Sequence, residues 1–139
     1  MDRTAQCACG QLSVTISGEP AFHGVCSCLA CQRMTGSAFD YSGYWPKSAV
    51  KDISGDHQSW RRQAESGRWF EQHFCKACGS TVFSYGEWAP DMINIGIGCF
   101  ADPAFPPPVY AVWNLHKHPW LTLPEDVESM DEQPPDDAV

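Results

Sequence analysis

The sequence predicts a single, mainly β domain with very little helix, and three observations support this fold class. Apolar and polar residues alternate with a period of two in several segments, as they do in half-buried strands. Eleven Gly and eleven Pro residues punctuate the 139-residue chain. No segment of ten residues or more has the periodicity of an amphipathic helix, so helix is expected only as single turns, with residues 29–35 as the candidate.

The clearest strand follows the first cysteines. There Leu12, Val14 and Ile16 alternate with polar residues until Gly18, which ends the run. Four further segments show the same alternation or are rich in aromatic and β-branched residues, which favour strands. The five predicted strands lie within residues 11–17, 39–45, 68–74, 81–85 and 93–98.

Acidic residues are concentrated at the C-terminal end. The formal net charge is −8, but seven of the 17 acidic residues lie in 124–139, which contains no Lys or Arg. The remaining ten acidic and nine basic residues leave the body at −1. We therefore predict a domain over residues 5–123 and a disordered acidic tail over 124–139. Because the body has no basic stripe, we expect no nucleic-acid partner.

The chain shows no sign of a membrane or export segment. No apolar run approaches the roughly 18 residues that a membrane span needs. The first six residues lack the apolar stretch of a signal peptide. We therefore expect a cytoplasmic protein with no membrane partner. In that compartment, eight cysteines favour metal binding over disulfide bonds.

Four cysteines occur in two short motifs that end in glycine. In residues 75–79, two residues separate the cysteines, which lets both sulfurs face one ion, and Gly79 permits a positive φ. Residues 7–10 place two cysteines on the same side of an extended segment. We predict that this four-cysteine group forms one structural zinc site rather than remaining as free thiols. Its members are Cys7, Cys9, Cys75 and Cys78.

Three further cysteines lie within six residues. Cys26, Cys28 and Cys31, which we call the cysteine triad, can hold one face of a second zinc ion. No fourth cysteine is close in sequence, and three protein ligands with an open position are typical of a reactive zinc site. In the alternative, another side chain closes the tetrahedron, and the candidates are Cys99, His23 and His73.

Arg33 directly follows the triad region. Three thiolates and Zn²⁺ sum to a charge of −1, and a fourth thiolate makes −2. A nearby cation would offset this charge and could bind the carboxylate of a ligand. Arg33 is therefore the candidate substrate-binding residue, with an ordinary surface arginine as the alternative.

Taken in order, these motifs resemble the glutathione-dependent formaldehyde-activating enzymes, a family whose domain is shared with centromere protein V. The resemblance covers about residues 5–123. The segments that carry it are Cys7-Ala8-Cys9-Gly10, Cys26-Ser27-Cys28-Leu29-Ala30-Cys31-Gln32-Arg33, Gly36-Ser37-Ala38-Phe39, Phe74-Cys75-Lys76-Ala77-Cys78-Gly79-Ser80, Trp113 and Pro119-Trp120-Leu121.

The resemblance implies a small zinc-binding β-tent fold of twisted antiparallel sheets. It implies a structural zinc on the four-cysteine group and a second zinc on the triad, with the glutathione sulfur as fourth ligand. The triad residues Cys26, Cys28 and Cys31 would then be catalytic. The implied activity is that of a zinc-dependent carbon–sulfur lyase or synthase that forms S-hydroxymethylglutathione from glutathione and formaldehyde.

Three functional hypotheses follow. The first is an enzyme whose partners are a small-molecule thiol, glutathione, and a small carbonyl compound. The second is a non-catalytic zinc- or thiol-binding module of the same fold. The third is an interaction protein of the centromere type, which the near-neutral body disfavours.

Overall fold

A computed structural model describes residues 1–133 and shows a mainly β fold. Its α-helix, α1, spans Leu29–Thr35, which is the segment that the sequence predicts. Single 3₁₀ turns cover Lys47–Ala49, Ile97–Phe100 and Asn114–His116. Within residues 1–133, no helix is long and apolar enough to cross a membrane.

All five predicted strands coincide with observed ones, although residues 97–98 of the last belong to a 3₁₀ turn. The mainly β fold class is therefore confirmed. The strands are β1 (Asp2–Gln6), β2 (Ser13–Ser17), β3 (Phe22–Cys26), β4 (Asp40–Pro46), β5 (Val50–Ser54), β6 (His57–Gln63), β7 (Trp69–Cys75), β8 (Thr81–Gly86), β9 (Met92–Gly96), β10 (Tyr110–Val112) and β11 (Glu128–Ser129).

The strands form two sheets. The smaller sheet has the order β1-β2-β5, and the larger has the order β11-β10-β3-β4-β9-β8-β7-β6. Most pairings are antiparallel, as expected, but β10 pairs in parallel with both β3 and β11. The larger sheet is therefore mixed. Gly24 in β3 allows the close approach of β10, since a Cβ there would lie 2.5 Å from the Tyr110 ring.

The main core lies between the two sheets. The alternating residues of β2 are fully buried against apolar side chains of β4, β8 and β9. Trp45 in β4 is also fully buried, and its Nε1 donates a hydrogen bond to the Gly18 carbonyl at 3.0 Å. Because Gly18 directly follows β2, this bond ties the smaller sheet to the larger one.

As far as residue 133, the acidic C-terminal segment makes specific contacts with the body, whereas its composition predicts a disordered tail over 124–139. Residues 128–129 add a strand beside β10. The Met130 N–H donates to the Ala111 carbonyl at 2.8 Å, and Trp113 Nε1 donates to Gln133 Oε1 at 3.1 Å. Backbone hydrogen bonds do not depend on apolar composition, which explains the difference. The disordered tail over 124–139 stays a prediction, and its residues 134–139 lie outside the described chain.

Deleting residues 125–139 is therefore expected to destabilise the domain. The deletion removes backbone bonds such as Glu128 N–H to Val109 O at 3.0 Å and Asn114 N–H to Met130 O at 3.1 Å. Each such bond contributes about 0.5–1.5 kcal/mol, so a loss of roughly 1–3 kcal/mol in unfolding free energy is expected. Urea unfolding in saturating zinc measures it. A chain ending at Gln133 keeps these contacts and is the control. Equal stability of the two chains would show that residues 125–133 do not stabilise the domain.

Candidate functional site

The four-cysteine group is built from two similar turns. Gly10 and Gly79 have φ values of +83° and +80°, the left-handed conformation expected after each cysteine pair. The Gly10 N–H donates to the Cys7 carbonyl at 3.0 Å, and the Gly79 N–H donates to the Cys75 carbonyl at 2.9 Å. Both turns therefore present two sulfurs to the same point, although they are far apart in sequence.

The sulfur positions of this group fit a metal ion. The Sγ atoms of Cys7 and Cys9 are 3.6 Å apart, and those of Cys9 and Cys75 are 3.7 Å apart. All four sulfurs, including that of Cys78, lie within 4.8 Å of one another. A tetrahedral zinc with bonds of about 2.3 Å requires sulfur separations of about 3.8 Å. The group is thus compatible with zinc, and all eight cysteines of the chain are free thiols.

The cysteine triad lies where β3 meets α1. Cys26 ends β3, Cys28 is the N-cap of α1, and Cys31 is in its first turn. The Cys28 Sγ accepts a hydrogen bond from the Cys31 N–H at 3.3 Å, which is how a capping side chain satisfies a free helix donor. The three sulfurs lie within 4.8 Å of one another. A set of three clustered thiols is compatible with zinc binding.

None of the three alternative fourth ligands joins the triad within residues 1–133. His23 Nδ1 is 3.1 Å from the Tyr41 hydroxyl, and His73 Nε2 is 2.8 Å from Glu71 Oε1. Cys99 lines a different cavity. The triad therefore presents three sulfurs without a fourth protein ligand from the described chain.

Gln32 fastens the triad to the segment that follows β10. Its Nε2 donates to the Ser27 carbonyl at 2.8 Å and to the His116 carbonyl at 3.0 Å. Its Oε1 is 3.0 Å from His118 Nε2. These contacts fix α1, a helix of seven residues that is too short to be stable alone. Gln32 therefore positions the helix beside the triad. It stands within the cysteine motif of residues 26–33, but the spacing of the cysteines does not indicate this role.

The triad is electrostatically asymmetric. The pKa of Cys28 lies well below its ordinary value, chiefly because the Cys26 and Cys31 thiols donate hydrogen bonds to its sulfur. The Cys31 N–H and the charge of Arg62 act in the same direction. The pKa values of Cys26 and Cys31 are raised, chiefly because these two thiols donate hydrogen bonds to neighbouring sulfurs and also because both are buried. Of the three thiols, Cys28 is therefore the one that most readily becomes a thiolate.

The triad opens onto a partly open cavity of about 90 Å³ lined by residues of the larger sheet. Strand β3 and the β6–β7 hairpin both line it, although four strands separate β3 from β6 within the sheet. The sheet must therefore curl around the cavity. Glu65 of the hairpin contacts His116 at 3.2 Å, which closes one side, and Gln133 of the C-terminal segment lines another.

The cavity is lined by four charged residues that sequence reasoning missed, and two of them, Asp40 and Arg62, interact electrostatically with the triad. Asp40 is half-buried, and its desolvation raises its pKa to about 6. Arg62 lines the same cavity and lowers the pKa values of both Asp40 and Cys28 through its charge. Neither residue stands in a motif. By contrast, Arg33 is exposed on α1 and does not line the cavity, so its role in substrate binding stays a prediction that the geometry does not favour.

Comparisons with known proteins agree with the architecture. The crystal structure of a Rhodobacter sphaeroides protein resembles this one with a TM-score of 0.57 and 15% sequence identity, covering 75% of this chain and 91% of that chain. This similarity concerns the fold alone. A comparison with curated proteins gives no match. A family model described as glutathione-dependent formaldehyde-activating enzyme matches residues 2–116. Because that match covers most of the sequence, the chain belongs to the glutathione-dependent formaldehyde-activating enzyme family.

Proposed function

We propose that the protein is a zinc-dependent carbon–sulfur lyase or synthase that acts on a glutathione adduct, with S-hydroxymethylglutathione as the default product. The observation that carries this proposal is the convergence of three sulfurs on a partly open cavity, without a fourth protein ligand from residues 1–133. The family membership supplies glutathione and formaldehyde as the expected reactants.

The two cysteine groups have different roles in this proposal. The four-cysteine group joins the chain after β1 to the turn between β7 and β8, so its zinc would be structural. The triad would hold a second zinc, which keeps an incoming thiol deprotonated near neutral pH. The number of zinc ions bound is part of the proposal, and zinc counting by mass spectrometry tests it.

The reaction itself needs little space around the triad. In synthesis, the thiol loses its proton, a sulfur–carbon bond forms at the carbonyl carbon, and the carbonyl oxygen gains a proton; the lyase direction reverses these changes. The cavity of about 90 Å³ is far smaller than the roughly 300 Å³ or more of typical small-molecule sites. It therefore admits the reacting thiol end and a one-carbon carbonyl, while the rest of glutathione extends outward.

The cellular setting stays a prediction from sequence. A glutathione-dependent reaction requires a compartment rich in reduced thiols, and the eight free cysteines are consistent with the cytoplasm.

Replacing Cys28 with serine is expected to remove the second zinc while sparing the fold. Cys28 caps α1 through its sulfur, and a serine oxygen can cap in the same way, so the loss should be confined to the metal. Wild type should bind up to two zinc ions and retain the second more firmly with glutathione, whereas C28S should bind one. Zinc counting by mass spectrometry of the native protein measures this difference.

Exchange between formaldehyde and glutathione, followed by NMR, tests the chemistry. The rate above the uncatalysed background should vanish in C28S and persist in C99S, whose thiol lies outside both cysteine groups. Equal rates for wild type and C28S would contradict formaldehyde activation. If wild type shows zinc-dependent glutathione binding but no faster exchange, the non-catalytic thiol-binding module is the correct function instead.

A further inference from the structure

The last described residues of the chain form a strap beside the triad. This C-terminal strap, residues 128–133, begins as β11 and continues along the segment that follows β10. The Asn114 N–H donates to the Met130 carbonyl at 3.1 Å, so the strap stays hydrogen-bonded to the body beyond the end of β10. The family match ends at residue 116. The strap therefore lies outside the part of the chain that family membership describes.

The strap has an inner side and an outer side. Met130 and Gln133 are half-buried, whereas the two acidic residues between them are exposed. Met130 packs against the small buried cluster that includes Cys28 and Cys31. The inner side of the strap therefore rests on the cluster that contains two of the triad cysteines, and the acidic side chains are left in solvent.

Gln133 forms part of the wall of the cavity beside the triad. It lines this cavity together with Trp113, whose indole Nε1 donates a hydrogen bond to Gln133 Oε1 at 3.1 Å. Trp113 has a φ of +57°, in the left-handed region that bulky residues rarely adopt. Such a conformation persists only where the surrounding contacts hold it. Because the strap supplies one of these contacts, the strap and the cavity wall hold each other in place.

We propose that the C-terminal strap limits the size of the molecules that reach the triad, with Gln133 as the specificity-determining residue and Met130 as its anchor. The inference rests on the proposed function and adds a selection rule to it. The carbonyl reactant is a one-carbon compound because Gln133 occupies space that a longer carbon chain would need. Without the strap, the cavity of about 90 Å³ would lose part of its wall. A packed side chain yields to added volume only at a cost in free energy, which is how the wall would exclude larger molecules.

The alternative is a purely structural role for the strap. The strap shares backbone hydrogen bonds with β10, and weakening it could expose the triad through local opening of the domain. The two roles predict different results for reagents of different size. Local opening would speed attack on the triad by small and large reagents alike, whereas the loss of a wall would favour the larger reagent.

Two alkylating reagents with the same reactive group provide the test. With iodoacetamide and iodoacetanilide alike, a cysteine sulfur displaces iodide and binds the carbon, but the second reagent carries a phenyl ring. Their rates at Cys28 in the full-length, zinc-loaded protein can be measured by peptide mass spectrometry. Because both reagents meet the same zinc occupancy, the ratio of their rates reports access, once it is corrected for their ratio with free glutathione. We expect wild type to favour iodoacetamide by roughly 10- to 100-fold, the rate equivalent of forcing extra volume into a packed site.

In Q133A that ratio should fall by about tenfold, and M130A should lower it as well because the strap loses its anchor. The control is E132A. Glu132 is exposed and precedes Gln133, and the substitution keeps its backbone carbonyl, which accepts from the Trp113 N–H at 3.4 Å. We expect E132A to keep the wild-type ratio.

The same variants test the selection rule in catalysis. Exchange of glutathione with formaldehyde and with butanal can be followed by NMR above the uncatalysed background. We expect wild type and E132A to accelerate exchange with formaldehyde alone, and Q133A to accelerate exchange with both carbonyl compounds.

Each remaining outcome has a definite meaning. A Q133A variant that keeps the wild-type alkylation ratio, or that speeds both reagents equally, overturns the size limit and leaves the proposed function standing. A wild type that reacts equally with both reagents, or that accelerates butanal exchange as strongly as formaldehyde exchange, overturns it too. A wild type that accelerates neither exchange contradicts the proposed function, and the alkylation ratios alone then decide whether the strap limits access to the triad.

Discussion

Replacing Cys78 with serine is expected to leave a protein that cannot hold its native fold. Cys78 lies in the turn after β7, and its sulfur lies within 4.8 Å of those of Cys7, Cys9 and Cys75. A structural zinc contributes free energy on the order of 10 kcal/mol to folding, which is comparable to the whole stability of a small domain. Losing one of four ligands should therefore produce unfolded or insoluble protein and the loss of one zinc equivalent.

The experiment compares C78S with C99S by circular dichroism and zinc counting. Cys99 is partly buried, packs against the core and belongs to neither cysteine group, so it controls for the loss of a thiol alone. We expect C99S to fold and to retain wild-type zinc. A C78S protein that melts at the wild-type temperature would show that the four-cysteine group is not a structural site. This outcome is independent of anything that happens at the triad.

Replacing Trp45 with alanine is expected to cost about 3–5 kcal/mol of unfolding free energy, the usual range for a buried Trp. Trp45 is fully buried between the two sheets, and its ring lies 5.7 Å from that of Phe100. Truncation opens a cavity in the main core and also removes the hydrogen bond to the Gly18 carbonyl. Because the smaller sheet packs on the larger one here, the loss is expected to loosen their contact.

The variant W45F separates the two contributions. Phenylalanine keeps an aromatic ring in the core but has no donor for Gly18, so a smaller loss of about 1–2 kcal/mol is expected. Urea unfolding in saturating zinc measures both variants under the same metal occupancy. If W45A unfolds within about 0.5 kcal/mol of wild type, Trp45 does not join the sheets. If W45F loses as much as W45A, the hydrogen bond rather than ring packing dominates.

The fold class was predictable from local patterns because those patterns report how each segment is buried. The alternation of Leu12, Val14 and Ile16 marks one face of β2, and the structure buries all three side chains completely. Edge and short strands carry no such pattern. In β6 almost every residue is exposed, so periodicity could not indicate it. Strand β11 is two acidic-segment residues held by backbone bonds, which composition cannot reveal.

The sequence by itself determined both cysteine groupings. Cys28 and Cys31 are joined by one turn of α1, and the glycines at 10 and 79 set the turns of the four-cysteine group. Cysteines that are close in sequence, or that lie in two turns of the same kind, have few other cysteines with which they could share a metal ion. Spacing was therefore enough to predict which sulfurs would meet, and the short helix that Cys28 caps and that contains Cys31.

Only the tertiary structure decided what faces the triad. Arg62 lies on β6, far from the triad in sequence and five strands away in the sheet, and it reaches the cavity because the sheet curls. Asp40 lines the same cavity from the neighbouring strand β4, where it pairs with Cys26, and Arg33, which is adjacent to the triad in sequence, is left exposed. The curvature of a sheet is set by the summed packing of all its strands, so no local pattern encodes which distant charge will lie beside a cysteine.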